Sequence, residues 1–288
     1  MSSSTSTSIW ASVSKPLHVH SRKGLTFVKP SDESSPSLTG INRSLSIEFY
    51  PDQPRSLSGI AFRAFCLGFT LAGSLVLIPL VPYVLPTSFA ALWRLPFFLG
   101  ALSTFHFMEF WTTARYNTPA ADVHSFLLTA NWPLYTIAHS AAFFECAVVN
   151  TLWPYRSWGP AMSSWAGYLC GAGVALTIIG QVVRSLAMIQ CGRSFNHMVQ
   201  QSRQAEHRLV TDRIYSVLRH PSYFGFFWWA VGTQLAMGNV FCLMAYVLLL
   251  WKFFANRIPF EERHLIEFFG EDYINYRRRV HVWIPLIR

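Results

Sequence analysis

Two small polar clusters bracket a long apolar block: His220-Pro221-Ser222-Tyr223 before it, and Arg257, Glu261 and Glu262 after it. A guanidinium grips an anion through a bidentate fork, and a carboxylate one helical turn away offsets a cation. Arg257 and Glu261, four residues apart on one helix face, could therefore clamp a ligand that carries both charges. The same spacing also suits an ordinary ion pair at a helix end. His220 precedes a proline, which biases it away from the helical region. The resulting bend either aims His220, Ser222 and Tyr223 at a ligand or simply breaks a helix. Upstream, residues 192–219 are polar and hold Asn196, His197, Gln200, His207, Asp212 and Arg213; residues 210–215 predict a turn feeding a short helix that ends at Arg219.

The elements that must position these groups are membrane helices. Residues 223–255 form an apolar run with Lys252 as its only charge, interrupted by Gly238-Asn239. That is too long for one span of about 20 residues, so it predicts a tight helical hairpin whose ends return to one side of the membrane. Four spans precede it, giving six near residues 59–85, 95–114, 132–153, 164–189, 223–237 and 240–255. Pro79, Pro82 and Pro86 are expected to thin or kink the end of the first. The fold class is thus all-α and integral to the membrane. Residues 1–56, rich in Ser and Pro, are expected to be a disordered tail; 57–191 form the transmembrane scaffold, and 192–288 the catalytic region, with a cytosolic cap built from the 190–222 segment and the C-terminal tail.

Composition agrees. The chain is 52% hydrophobic and only 13% charged, about half the charged fraction usual in soluble proteins. Its +9 net charge sits in the N-terminal tail and in segments flanking the spans, which fits anionic headgroups and topology better than nucleic acid. The basic excess falls on one side of the six-span arrangement, so both termini are expected in the cytosol. Five scattered cysteines without a CxxC spacing exclude a disulfide framework or a cysteine zinc site as the organising principle. Within the first four spans lie His106, Glu109, His139, Glu145, Gln181 and Arg184. Charges at that depth face a partner or a wet cavity. His106, Glu109, His139 and Glu145 could be drawn together around a metal, but an interhelical network is the stronger expectation, with Glu145 paired to Arg184.

The ordered set Ser194-Phe195-Asn196-His197-Met198-Val199-Gln200, His207 to Val210, Arg219-His220-Pro221-Ser222-Tyr223 with Gly225, Trp251, Phe253-Phe254, Arg257, Glu261-Glu262 and Phe269-Gly270-Glu271-Asp272-Tyr273 resembles the isoprenylcysteine carboxyl methyltransferase family. The resemblance is firm from about Gly180 onward and continues more weakly upstream through Phe62 to Phe69, Phe105-His106 with Glu109, and Ser125 to Leu128. It implies an endoplasmic-reticulum enzyme that methylates the C-terminal carboxylate of a farnesylated or geranylgeranylated cysteine in CaaX-processed proteins, turning S-adenosylmethionine into S-adenosylhomocysteine. The family's cofactor contacts carry to Gln200, His207, Arg208, Leu209, Val210, Tyr215, His220, Pro221, Ser222, Tyr223 and Glu261, and its carboxylate-holding arginine to Arg257. No metal is implied. Arg208 stands where the family has a small polar residue, a difference of little weight if the backbone makes that contact. Animal members carry two more N-terminal spans, so six spans resemble fungal members.

Three other functions share parts of this pattern. A phospholipid N-methyltransferase has a similar His-Pro turn and paired glutamates, but needs no arginine at its acceptor. A membrane sterol reductase has a similar Arg-His-Pro-Tyr turn but usually more spans. A non-catalytic receptor for prenylated proteins would keep a lipid groove and tolerate loss of Gln200, His220 and Glu261.

Overall fold

The computed structural model describes residues 46–153, 160–203 and 207–287. Among these the chain is helical, and no strand forms beyond one isolated bridge between Leu218 and His281. The long helices are α1 (Leu57–Val84), α2 (Arg94–Tyr116), α3 (Leu134–Leu152), α4 (Pro160–Cys191), α5 (Pro221–Met237) and α6 (Phe241–Phe269), followed by the short α7 (Glu271–Arg279). Of the expected disordered tail, residues 1–45 lie outside the described residues. Residues 46–56 hold a 3-10 turn, Ile47–Phe49, and end on Ser56, whose side chain accepts from the Gly59 N–H to cap α1.

Four helical stretches are long and apolar enough to cross a membrane: Leu57–Val84, Thr87–Tyr116, Trp165–Ser194 and Phe241–Phe269. The other two expected spans are helices of 19 and 17 residues, α3 and α5. The sheath of this bundle is apolar because its outer solvent is hydrocarbon, and α1 shows this most plainly: in its most apolar stretch 6% of residues are buried. Pro79 and Pro82 do not end α1, which runs on to Val84; a missing N–H is tolerated where neighbours and local adjustment re-satisfy the carbonyls.

The tightest packing is between α4 and α5. A methyl group placed on Gly225 would lie 2.6 Å from the Arg184 nitrogen, and one on Gly180 would lie 2.5 Å from the Trp229 nitrogen. Gly173 and Gly232 repeat the arrangement one heptad away, with a methyl on Gly232 meeting the Thr177 nitrogen at 2.6 Å. Small residues at these positions let two backbones touch, which is how helices associate strongly when lipid supplies no hydrophobic drive. The seam fixes the start of α5, where His220 and Tyr223 sit, against the end of α4.

The hairpin turns at Gly238, whose φ of 69° and ψ of 25° need a residue without a Cβ penalty. Asn239 pins the turn to α3 by donating to the Ala142 carbonyl at 2.9 Å. Glu145, also on α3, accepts from the backbone N–H groups of Val240, Phe241 and Cys242 at 2.7, 3.0 and 2.7 Å. These are orphan donors at a helix N-terminus, and a carboxylate both pairs them and complements the dipole. The expected Glu145–Arg184 pair is therefore not formed, because each group has a nearer claimant. Arg184 instead grips Glu109 of α2, with Nε to Oε1 at 2.5 Å and Nη2 to Oε2 at 2.7 Å. Nor are the four groups considered for a metal gathered; among the described residues no cluster of three His, Cys, Asp or Glu could hold an ion.

The helix of the sixth span runs on beyond the apolar run that ends near residue 255. Helix α6 continues unbroken through Pro259 to Phe269 and ends where Gly270 takes φ 55°. Loss of apolarity marks the membrane boundary and not the helix end, so Arg257, Glu261 and Glu262 project from a rigid rod. The short helix expected to reach Arg219 is one 3-10 turn, Arg213–Ser216, because Leu218 and Arg219 are drawn into an extended pairing with His281, whose carbonyl accepts from the Arg219 N–H at 2.9 Å.

Candidate active site

The polar segment before α5, the first turn of α5, the far part of α6 and helix α7 enclose an open cleft. All eleven residues expected to contact a cofactor line it: Gln200, His207, Arg208, Leu209, Val210, Tyr215, His220, Pro221, Ser222, Tyr223 and Glu261. His264 and Leu265, which the sequence reading did not single out, also line it, as do Phe268, Tyr273 and Tyr276, to which that reading gave no role in the site. His264, Leu265 and Phe268 follow Glu261 at i+3, i+4 and i+7 on the same helix, a recurrence that could have found them.

His220 caps α5 in a non-helical conformation (φ −124°, ψ 67°), with Pro221 at the first helical position, where a missing N–H costs nothing. The imidazole stacks on Tyr223, ring centres 5.4 Å apart and planes 10° apart, and its Nε2 lies 3.1 Å from Glu262 Oε1. Glu262 is buried and also takes Arg219 at 2.6 Å and Arg277 at 3.2 Å. It thus ties the His-Pro turn to α7. Tyr215 closes another side, its hydroxyl donating to the Ala187 carbonyl at 3.1 Å. Burial, with the Cys191 thiol beside it, pushes this phenol well above its ordinary pKa, so it remains a neutral donor. Arg208 contributes through its backbone, whose N–H donates to Ser194 Oγ at 3.1 Å.

Arg257 does not line this cleft. It lies behind Tyr223, which does: its Nε donates to the Tyr223 hydroxyl at 2.9 Å, and that hydroxyl donates to Glu261 Oε2 at 2.5 Å. Arg257 and Glu261 are thereby joined through one phenol, where an ordinary ion pair was one of the two readings of their spacing. The guanidinium also sits over the rings of Tyr223 and Phe253, 5.6 and 5.5 Å from their centres, and donates to the His197 carbonyl. His197 Nε2 in turn meets Glu109 Oε2 at 2.8 Å, and Arg184 Nη1 donates to the Ser222 carbonyl at 3.1 Å. Glu109, 1% exposed, is the keystone that joins α2, α4, the 192–219 segment and the start of α5 beneath the site.

The cleft offers what a flat heteroaromatic base joined to a charged tail requires. Asn196 and Gln200 present amides, Leu209, Leu265 and Phe268 present apolar faces, and Glu261 presents the acid on the side nearest Arg257. Such a wall suits a small molecule with a flat apolar face and a positive charge.

Comparisons with known proteins identify the relatives of this chain. Residues 173–267 match the model of the isoprenylcysteine carboxyl methyltransferase (ICMT) family. The chain is 41% identical over 240 residues to the protein-S-isoprenylcysteine O-methyltransferase of Saccharomyces cerevisiae, covering 83% of this chain and 95% of the yeast protein. It is 34% identical over 252 residues to the Homo sapiens enzyme of the same name, covering 87% of this chain and 81% of that one. A solved structure of a eukaryotic intramembrane Ras methyltransferase, isoprenylcysteine carboxyl methyltransferase, superposes with a TM-score of 0.70 at 32% identity, over 83% of this chain and 80% of the other. With most of both sequences and the helical framework shared, the chain belongs to the isoprenylcysteine carboxyl methyltransferase family.

Proposed function

We propose that this protein transfers a methyl group from S-adenosylmethionine to the C-terminal carboxylate of a prenylated cysteine, farnesyl or geranylgeranyl, in CaaX-processed proteins. We place it in the endoplasmic-reticulum membrane, with six spans and both termini cytosolic. The observation that carries this reading is the Arg257–Tyr223–Glu261 relay, which sets an anion-binding cation and a cation-binding acid on opposite sides of one hydroxyl.

A C-terminal carboxylate, with a pKa of about 3.5, is already ionised at neutral pH, so no general base is needed. What the residues must supply is alignment and exclusion of competing water. Arg257 fixes the carboxylate through its fork. Glu261 and the Tyr223 ring hold positive charge at the cleft side, and Tyr223 locks the two to each other. When bound, S-adenosylmethionine supplies an electrophilic methyl on a sulfonium. Gln200, Asn196 and the 207–210 backbone would hold its remaining polar groups, and Phe268 and Leu265 its flat face. Pairing with Arg257 lowers carboxylate nucleophilicity, so the gain from that residue is positional.

The prenyl chain explains why the enzyme is built among apolar helices. Each buried CH₂ is stabilised by about 0.8 kcal/mol, so the acceptor stays in lipid while the donor arrives from water. An amine acceptor, as in phospholipid N-methylation, would gain nothing from Arg257. The test is transfer of labelled methyl by the purified chain in detergent to N-acetyl-S-farnesylcysteine, its carboxamide and the non-prenylated acid. Base-labile label on the farnesylated acid alone is the expected result; label on the carboxamide, or equal label on the non-prenylated acid, would overturn the assignment.

A further inference from the structure

We propose that a second cleft, walled by Arg219, Arg277, Arg278 and His281 over Ile266 and Ile274, binds the headgroup of an anionic phospholipid. Arg219 lines this cleft and the donor cleft alike. Its guanidinium is buried; Nη1 donates to the carbonyls of Arg277 and Val280 at 3.0 and 2.8 Å, while Nη2 has no hydrogen-bond partner among the described residues. The carboxylate bound to these cations is Glu262, which takes Arg219 and Arg277 at 2.6 and 3.2 Å. Three guanidinium charges against that one carboxylate leave two in excess, and Arg278 and His281 are exposed beside them. A buried guanidinium with a free donor, flanked by solvent-facing cations, is a site for phosphate oxygens.

The path of the chain selects the source of the phosphate. Beyond His281, Val282 and Ile284 pack against Phe254 and Ile258 of α6, and the Trp251 indole donates to the Pro285 carbonyl at 2.9 Å. Trp251 lies in the apolar run, about 9 Å along the helix axis from Arg257. His281 is four residues from Pro285, within about 13 Å of extended chain. The C-terminal segment therefore descends from the basic cleft to the flank of a membrane helix. It leaves Trp283 and Leu286 61% and 91% exposed, as residues at the membrane boundary should be. A headgroup in the cleft with its acyl chains against Trp283 and Leu286 satisfies both halves of this surface.

Native mass spectrometry of the full chain in detergent tests the site, with phosphatidylserine, phosphatidylcholine and inorganic phosphate as probes. The comparison is wild type against Arg278→Gln/His281→Gln, which leaves the Arg277–Glu262 pair in place. Wild type should bind phosphatidylserine about tenfold more tightly than phosphatidylcholine, the double variant should lose most of that preference, and S-adenosylmethionine affinity should not change. Equal binding of the two lipids by wild type, or a preference that survives in the variant, would overturn the proposal. Inorganic phosphate binding as tightly as phosphatidylserine would assign the cleft to a soluble anion and defeat the lipid reading. The wild-type comparison decides the matter even if the variant does not fold.

Discussion

Arg257 Nε and the hydroxyl of Tyr223 are 2.9 Å apart, and that hydrogen bond joins a guanidinium outside the cleft to a residue of its wall. The hydroxyl in turn donates a hydrogen bond to Glu261, so two helices share one polar chain. Tyr223→Phe keeps the ring under Arg257 and removes the chain. Hydrogen bonds to charged groups contribute about 1.5–3 kcal/mol, so kcat/KM for the prenylated acid should fall by roughly ten- to a hundredfold, with thermal unfolding little changed. Steady-state kinetics on the purified variant reads this directly, and unaltered kcat/KM would show that the relay is incidental.

Glu109→Gln leaves Arg184 buried without its carboxylate. Breaking such a pair costs about 3–5 kcal/mol, whereas replacing both partners by apolar groups is far milder. The single variant should unfold at clearly lower temperature in detergent, and Glu109→Leu/Arg184→Met should recover much of the loss. A double variant no more stable than the single one would contradict the keystone role.

Gly225→Ala places a methyl group 2.6 Å from the Arg184 backbone. Backbone cannot move aside as a side chain can, and overpacking costs about 1–3 kcal/mol or more. Gly68→Ala on α1, where no atom lies within 4 Å of the added methyl, is the matched control and should be silent. Equal unfolding temperatures for the two variants would remove the seam from the account.

Glu145→Gln keeps the shape of the side chain but removes the charge that meets three N–H groups of α6. A loss of about 0.5–2 kcal/mol is expected from cap and dipole together. Amide hydrogen exchange at Val240 to Cys242 should quicken before any change elsewhere. Unchanged protection at those amides would count against the cap.

What could be read in the sequence was what depends on local order. Gly238-Asn239 announced its turn because only such residues take a left-handed conformation cheaply, and the His220-Pro221 bend follows from proline sterics. Glu109–Arg184 was not readable, since 75 residues separate the partners and spacing along a chain says nothing about which helices adjoin. Glu145 misled for a related reason: a carboxylate in an apolar run needs a partner, but its partner proved to be backbone. Arg257 and Glu261 were legible as one helix face because a spacing of four needs only a continuous helix, and α6 does carry on past the apolar run to Gly270. The heptad pairs Gly173/Gly180 and Gly225/Gly232 were visible, and their meaning appears only when the two helices are laid side by side.

The central claim is that one hydroxyl separates a donor side governed by Glu261 from an acceptor side governed by Arg257. The most direct measurement is S-adenosylmethionine affinity by calorimetry together with methyl transfer to N-acetyl-S-farnesylcysteine, for wild type, Glu261→Gln and Arg257→Ala. The account predicts that Glu261→Gln loses donor affinity, whereas Arg257→Ala binds the donor nearly as wild type does and fails to use the acid. Donor affinity untouched by Glu261→Gln, or turnover retained by Arg257→Ala, would contradict it.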